Sequence, residues 1–202
     1  WVGAPISERV IILGMRGVCA LAGVGCLWLI WRLGCLVFGQ MAGWIGLVLL
    51  GLTPTFLRWS VEIHPDLPQL FWILGCLYFC CLLAETGRLQ DACLAALMAG
   101  LAFGTKYAGV FLLPVIVFSA FLFAPGRPGR SFWVILGCVP LIFAVTFVAT
   151  NPYALIHFET FQQDITFERA HLGFGHVFRA DGAGFLWLTD LWALVGWGHG
   201  LI

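Results

Sequence analysis

Long uncharged apolar runs constrain this chain more than any other feature. From Leu36 to Leu57, and again from Leu67 to Ala84, there is no Asp, Glu, Lys or Arg. A helix needs roughly 20 apolar residues to cross the hydrocarbon core, and backbone polar groups in lipid must be satisfied within their own segment. The whole 202-residue chain follows suit, being 61% hydrophobic and only 10% charged, against roughly 25% charged residues in a soluble domain. The runs predict an all-α, polytopic transmembrane helical bundle forming a single domain over 1–202. Its spans fall at about 10–31, 36–57, 67–84, 91–105, 107–124 and 132–150, with a partial seventh at 184–202. A formal net charge of zero leaves no basic footprint for nucleic acid.

The chain opens on Trp1 and its last residues, Trp197 to Ile202, lie in an apolar run, so it reads as a piece of something longer. No basic region precedes a cleavable apolar stretch, so no signal peptide is expected. Seven of the eight cysteines are Cys19, Cys26, Cys35, Cys76, Cys80, Cys81 and Cys93, and the eighth is Cys138. Nearly all lie within apolar runs and read as small buried hydrophobes.

Between the two uncharged runs sits a polar island, Arg58-Trp59-Ser60-Val61-Glu62-Ile63-His64-Pro65-Asp66. Charges where a chain leaves one membrane helix and enters the next are costly, and such a place reads as a site. Glu62 and Asp66 are four apart, so a regular helix would stack them on one face. Held in a low-dielectric wall, such a pair can orient a hydroxyl or act as a base. Pro65 works against that helix, and Asp66 ahead of Leu67-Pro68 also fits the start of the next helix, where a capping acid and an early Pro belong. Both readings stand on the sequence.

The polar connections alternate between two faces. One receives Ser7-Glu8-Arg9, the island, Thr105-Lys106-Tyr107 and the segment 151–182. The other receives 32–40, 85–91 and 125–131, with Arg32, Arg88, Arg127 and Arg130, which suits the cytoplasmic side. The first face is then extracytoplasmic, and it gathers every His but His199, together with Lys106, the one Lys in the chain. Lys106 suits either snorkelling at the interface or gripping a phosphate. Arg58 and Arg16 share the second role, and Arg16 is predicted well inside its span, where a bland role is hard to defend.

In segment 151–182, Asn151-Pro152 predicts the end of the sixth span. Phe158 to His171 then predicts an amphipathic helix, with Phe161, Ile165 and Leu172 recurring at helical steps. Asp164, Glu168 and His171 share its polar face, which suits either a solvated interfacial helix or a loop site completed by His176. Glu168, His171 and His176 also have the carboxylate and imidazole chemistry of a divalent metal ion site. Phosphate-binding GxGxxG and GxxxxGK[ST] loops and the GxSxG elbow are absent.

Three stretches taken together resemble a known family. They are Arg16 with Trp31-Arg32-Leu33-Gly34 and Phe38-Gly39, then Leu52-Thr53-Pro54 with Ser60 to Asp66, then Gly100 to Tyr107. In this order they are similar to the polytopic GT-C fold transferases that use lipid-linked sugars. These are the protein-mannosyltransferase and aminoarabinose-transferase type, grouped with glycosyltransferase family 39. The tail from Asn151-Pro152-Tyr153 to His176 resembles the long extracytoplasmic loop of bacterial members, so the likeness runs over about residues 10–200.

The resemblance implies a glycosyltransferase of the inner (plasma) membrane. It would pass a sugar from a polyprenyl-phosphate carrier to a lipid, glycan or protein acceptor on the extracytoplasmic face. Asp66 matches the family's second acid and Lys106 a lysine at the equivalent turn, while Glu62 matches a less uniform position. Asp66 and Glu62 are thereby the implied catalytic residues. Lys106, Arg58, Arg16, Tyr107 and His64 would bind substrate. The family's main acid lies in a first loop that would precede Trp1, and His157 stands where an acid is expected. The competing reading is a secondary transporter or flippase, which also places charges at helix breaks. That reading predicts two related halves, and none is evident.

Overall fold

A computed structural model describes residues 6–123 and 130–174. Its first helix, α1, runs Ile6–Phe38, 33 residues and so about 50 Å, well beyond the roughly 30 Å of a hydrocarbon core. It ends where Gly39 takes φ 93°, a left-handed conformation that side chains with a Cβ rarely adopt. α2, Gln40–Gly51, starts immediately and returns along α1. The turn therefore sits at Gly39, near the end of the predicted 32–40 connection, whereas Arg32 belongs to α1. Its guanidinium donates to the Tyr78 hydroxyl at 3.0 Å and lies 5.7 Å from the centre of that ring.

The second apolar run does not form one straight span. α2 has 12 residues, about 18 Å. Thr53 is then extended (φ −70°, ψ 117°) and Pro54 opens α3, Pro54–Val61. Proline lacks an N–H and pushes the residue before it out of the helical region, so the ladder cannot pass through 53–54. The two helices are bent by 65°.

α4, Asp66–Thr86, descends parallel to α1. The Cys19 thiol meets the His64 carbonyl (3.6 Å) near its start, and Arg32 meets Tyr78 further along both helices. α5, Leu89–Thr105, returns. A 3-10 turn, Tyr107–Phe111, leads into α6, Leu112–Phe123. α7 is Arg130–Thr150, the short α8 is Tyr153–Ile156 and α9 is Phe158–Phe174. The described residues thus form an all-helical bundle. Three helices are long and apolar enough to cross a membrane, Glu8–Phe38, Asp66–Thr86 and Phe132–Thr150, or four with the bent α2–α3 pair. α5, and the 3-10 turn with α6, are shorter apolar segments. The sequence-based count of six and a partial seventh therefore exceeds what helix length supports among the described residues.

α5 is the centre of the packing. Ala92, Ala95, Ala96, Ala99 and Ala102 are fully buried, a stripe at three- and four-residue steps facing Cys76, Cys80, Leu83, Ile116, Val139 and Phe143. Lipid tails are as apolar as Leu, so helices in a bilayer gain by close backbone approach and not by burying oil. The Gly100/Gly104 spacing does this. A Cβ on Gly100 would stand 2.7 Å from Thr146 Cβ and 2.9 Å from the Phe143 carbonyl. Gly43 plays the same part against α1, where a Cβ would come within 2.7 Å of the Trp31 carbonyl. Gly39, four residues before it, forms the turn instead.

This packing makes a specific expectation. Gly100→Leu should lower the unfolding temperature of the detergent-solubilised protein by several degrees, equivalent to an overpacking cost of about 1–3 kcal/mol. Gly137→Leu, where nothing lies within 4 Å, should leave it no lower than wild type. Equal unfolding temperatures for the two variants would rule out the α5–α7 contact.

Candidate active site

The polar island and the turn after α5 lie at the same end of the bundle. α3 ends at Val61, and Glu62 is extended (φ −95°, ψ 158°), so the chain reaches α4 without a helical turn linking Glu62 to Asp66. The two carboxylates therefore do not form a pair. Glu62 Oε1 accepts from Arg58 Nε at 3.0 Å, four residues back on α3, with the two side chains 44% and 72% exposed. An ion pair that wet contributes well under about 1 kcal/mol. It nevertheless commits Arg58 to a carboxylate, so Arg58 is no isolated cation for phosphate.

Asp66 is the first residue of α4, where the helix dipole favours an acid. Its carboxylate turns to two partners. Oδ1 accepts from the Lys106 ammonium, forty residues on, and Oδ2 lies 3.1 Å from His64 Nδ1. Lys106 is placed for this by the end of α5. It is extended (φ −149°, ψ 139°), caps α5 and begins the 3-10 turn. The Asp66 side chain is 24% exposed and that of Lys106 43%, so the pair is reachable from outside the bundle.

His64 is held from three sides. Its ring lies parallel to Trp59 of α3, centroids 4.6 Å apart. Its Nδ1 faces Asp66, and its carbonyl takes the Cys19 thiol of α1. Trp59 and Cys19 were not singled out from the sequence. Trp59 could have been, because a Trp five positions ahead of a His in a polar connection is a ready stacking partner. Cys19 looks like any other apolar-run cysteine until the helices are packed.

Arg16 lies on α1 and is exposed. Since α1 begins at Ile6 and Cys19 is already level with His64, Arg16 sits at the site end of α1, and the depth argument drawn from the sequence does not apply. Tyr107 turns inward onto Phe103 (5.7 Å) and Phe161 (5.8 Å). Phe161 also meets Phe147, so aromatic contacts dock the start of α9 beside the Lys106 turn. Phe161 and Ile165 are half-buried, as the amphipathic pattern requires, and Asp164 is exposed. Among the described residues, no hydrogen bond or ion pair joins Asp164 to the Lys106–Asp66 pair. The side chains of Glu168 and His171 lie outside those described, as does His176 altogether, so the metal reading falls outside the described residues. His157 is exposed and stacks on Tyr153.

A turn of α4 below Asp66 the bundle opens into an apolar cleft of about 410 Å³. Leu70 and Leu74 of α4, Ile30 of α1 and Leu49, Leu50 and Thr53 around the α2–α3 break line it. The residues on either side of the start of the α2–α3 break thus form one wall of the cleft.

The arrangement can bind an anion at Lys106, hold a hydroxyl near Asp66 and His64, and seat an aliphatic chain below them. The family described as dolichyl-phosphate-mannose-protein mannosyltransferase matches residues 4–153, well over half of the chain and all of α1 to α7. No curated protein and no solved structure matches significantly.

The cross-bundle pair can be measured directly. In a double-mutant cycle of Asp66→Asn and Lys106→Met, thermal unfolding should show a coupling of about 1 kcal/mol, the two single changes costing more in sum than the double one. Strict additivity would mean the two side chains do not meet.

Proposed function

The chain belongs to the dolichyl-phosphate-mannose-protein mannosyltransferase family, and from that we propose that it moves a sugar from a polyprenyl-phosphate carrier to an acceptor at the extracytoplasmic face of the membrane. Membership indicates a membrane glycosyltransferase that uses a lipid-linked sugar donor and an acceptor. The observation that carries the finer reading is the Lys106–Asp66 pair at one end of the bundle, with an apolar cleft whose lining on α4 begins at Leu70.

The chemistry follows from the parts. When the anomeric C–O bond to the carrier breaks, negative charge grows on the carrier phosphate and needs a fixed cation. An ammonium has three N–H donors, and Asp66 uses one, so Lys106 retains donors for phosphate oxygens. The cleft beneath seats the first part of the carrier tail, which keeps the phosphate at the level of Lys106. Asp66 holds Lys106 in place and offers an anionic edge for the acceptor hydroxyl. α9, docked through Phe161 against Tyr107, covers this end and limits the entry of water, which would otherwise compete as acceptor. In this reading α5 and the 3-10 turn with α6 also cross the bilayer, and the alternating direction of the helices supports that.

The α2–α3 break is the feature a transporter or flippase would share. Its lining is aliphatic apart from Thr53, so it offers no charged group to a polar cargo.

Asp66→Ala in the full-length protein should reduce transfer from polyprenyl-phosphate mannose by at least about 10²-fold, with membrane insertion and expression unchanged. Turnover at the wild-type rate would remove Asp66 from the site.

A further inference from the structure

Arg32 lies about 20 Å along α1 from Cys19, toward the far end of the bundle from Lys106 and outside the transfer chemistry. We propose that Arg32 and Tyr78, with Trp28 beside them, bind the headgroup phosphate of an anionic phospholipid. The Arg32 guanidinium donates to the Tyr78 hydroxyl at 3.0 Å and sits 5.7 Å from the centre of that ring. Trp28, one turn earlier on α1, stands 6.4 Å from the same ring and is 53% exposed. Aromatic rings with a polar handle, and long basic side chains, gather where a helix passes from hydrocarbon to headgroups.

The protein leaves this cation without an anion. A guanidinium has five N–H donors in a planar fork, and one of them meets Tyr78. Among the described residues no carboxylate pairs with Arg32, whereas Lys106 and Arg58 each have one. Arg32 is exposed, yet it does not belong to a polar connection. It sits within α1, between the uncharged stretches 17–31 and 33–57. The surface near it is apolar, with Trp28, Val37 and Phe38 of the same helix exposed. α1 is long and apolar enough to cross a membrane, so that surface faces lipid, and the anion that pairs with Arg32 comes from a lipid.

The fork also selects among headgroups. Two phosphate oxygens match two parallel N–H donors of arginine, which a lysine ammonium cannot reproduce. A zwitterionic headgroup adds an ammonium, and an ammonium needs an acid. The first acid along α4 past Tyr78 is Glu85, seven residues on and so about 10 Å away. A headgroup of net negative charge asks for no such partner. Basic positions between membrane helices are a recurrent form of acidic-lipid recognition.

The test reads lipid binding and not turnover, so its outcome is separate from that of the transferase reading. Full-length protein is delipidated in detergent. Binding of phosphatidylglycerol and phosphatidylcholine is followed by native mass spectrometry, and thermal unfolding is followed with each lipid and with inorganic phosphate. Wild type should bind phosphatidylglycerol about tenfold more tightly than phosphatidylcholine, as expected for hydrogen bonds to a charged group, and should unfold at a higher temperature with it. Arg32→Gln should remove that preference. Arg88→Gln, at an exposed position after α4, should stay within about twofold of wild type. Arg32→Lys keeps a charge without the fork and should bind phosphatidylglycerol about threefold more weakly than wild type. It carries the same comparison if the glutamine variant does not fold. Equal affinity of wild type for the two lipids, an unfolding shift from inorganic phosphate alone, or wild-type affinity in either Arg32 variant would overturn the site.

Discussion

A carboxylate at the edge of a lipid-embedded bundle needs a cation, and Asp66 finds Lys106 forty residues away in the chain. Much else is arranged around that contact. It ties the start of α4 to the end of α5 at one end of the molecule. It also keeps the single lysine of the chain from snorkelling away into the interface. Each member of the pair offsets the charge of the other. With His64 on the second oxygen, the carboxylate becomes the hub of a small polar network in an otherwise apolar wall.

The pair can form only because α5 is set deep in the bundle. The alanine stripe and the glycines at 100 and 104 let α4 and α7 come close to its backbone, which fixes where Thr105 and Lys106 emerge. Packing in the core and chemistry at the end are thus one problem. A bulkier residue in α5 would move Lys106 as well as weaken the helix contact. The bend at Thr53-Pro54 acts similarly on the other side. It turns α3 away from the line of α2 and brings Trp59 over His64, and Thr53 at the break lines the aliphatic cleft.

Legibility from the chain alone varied with the physics involved. Helical character, the end of α7 at Thr150 and the amphipathic helix after Pro152 follow from hydropathy, from proline and from periodicity, which act locally. The same is true of the alternation that puts the island and the Lys106 turn together. Local rules failed where two of them competed. The apolar run 36–57 outweighed Pro54 in the reading, although a missing N–H breaks a helix whatever surrounds it. Arg32 was assigned to a connection because a charge suggests a helix end, whereas Tyr78 holds it within α1. The Glu62 and Asp66 spacing suggested a dyad, and the extended backbone at Glu62 separated them.

Sequence by itself determined that this is a helical membrane protein, because the cost of charge in lipid falls on each residue separately. It also carried enough ordered motif to indicate the family of lipid-linked sugar transferases. Tertiary structure alone decided which charges meet. Lys106 chose Asp66 over Glu62, Arg58 chose Glu62, and Trp59 and Cys19 became supports for His64. Those choices depend on how far apart helices from distant parts of the chain pack, and helix separation is set by small side chains whose effect appears only when the facing helix is in place.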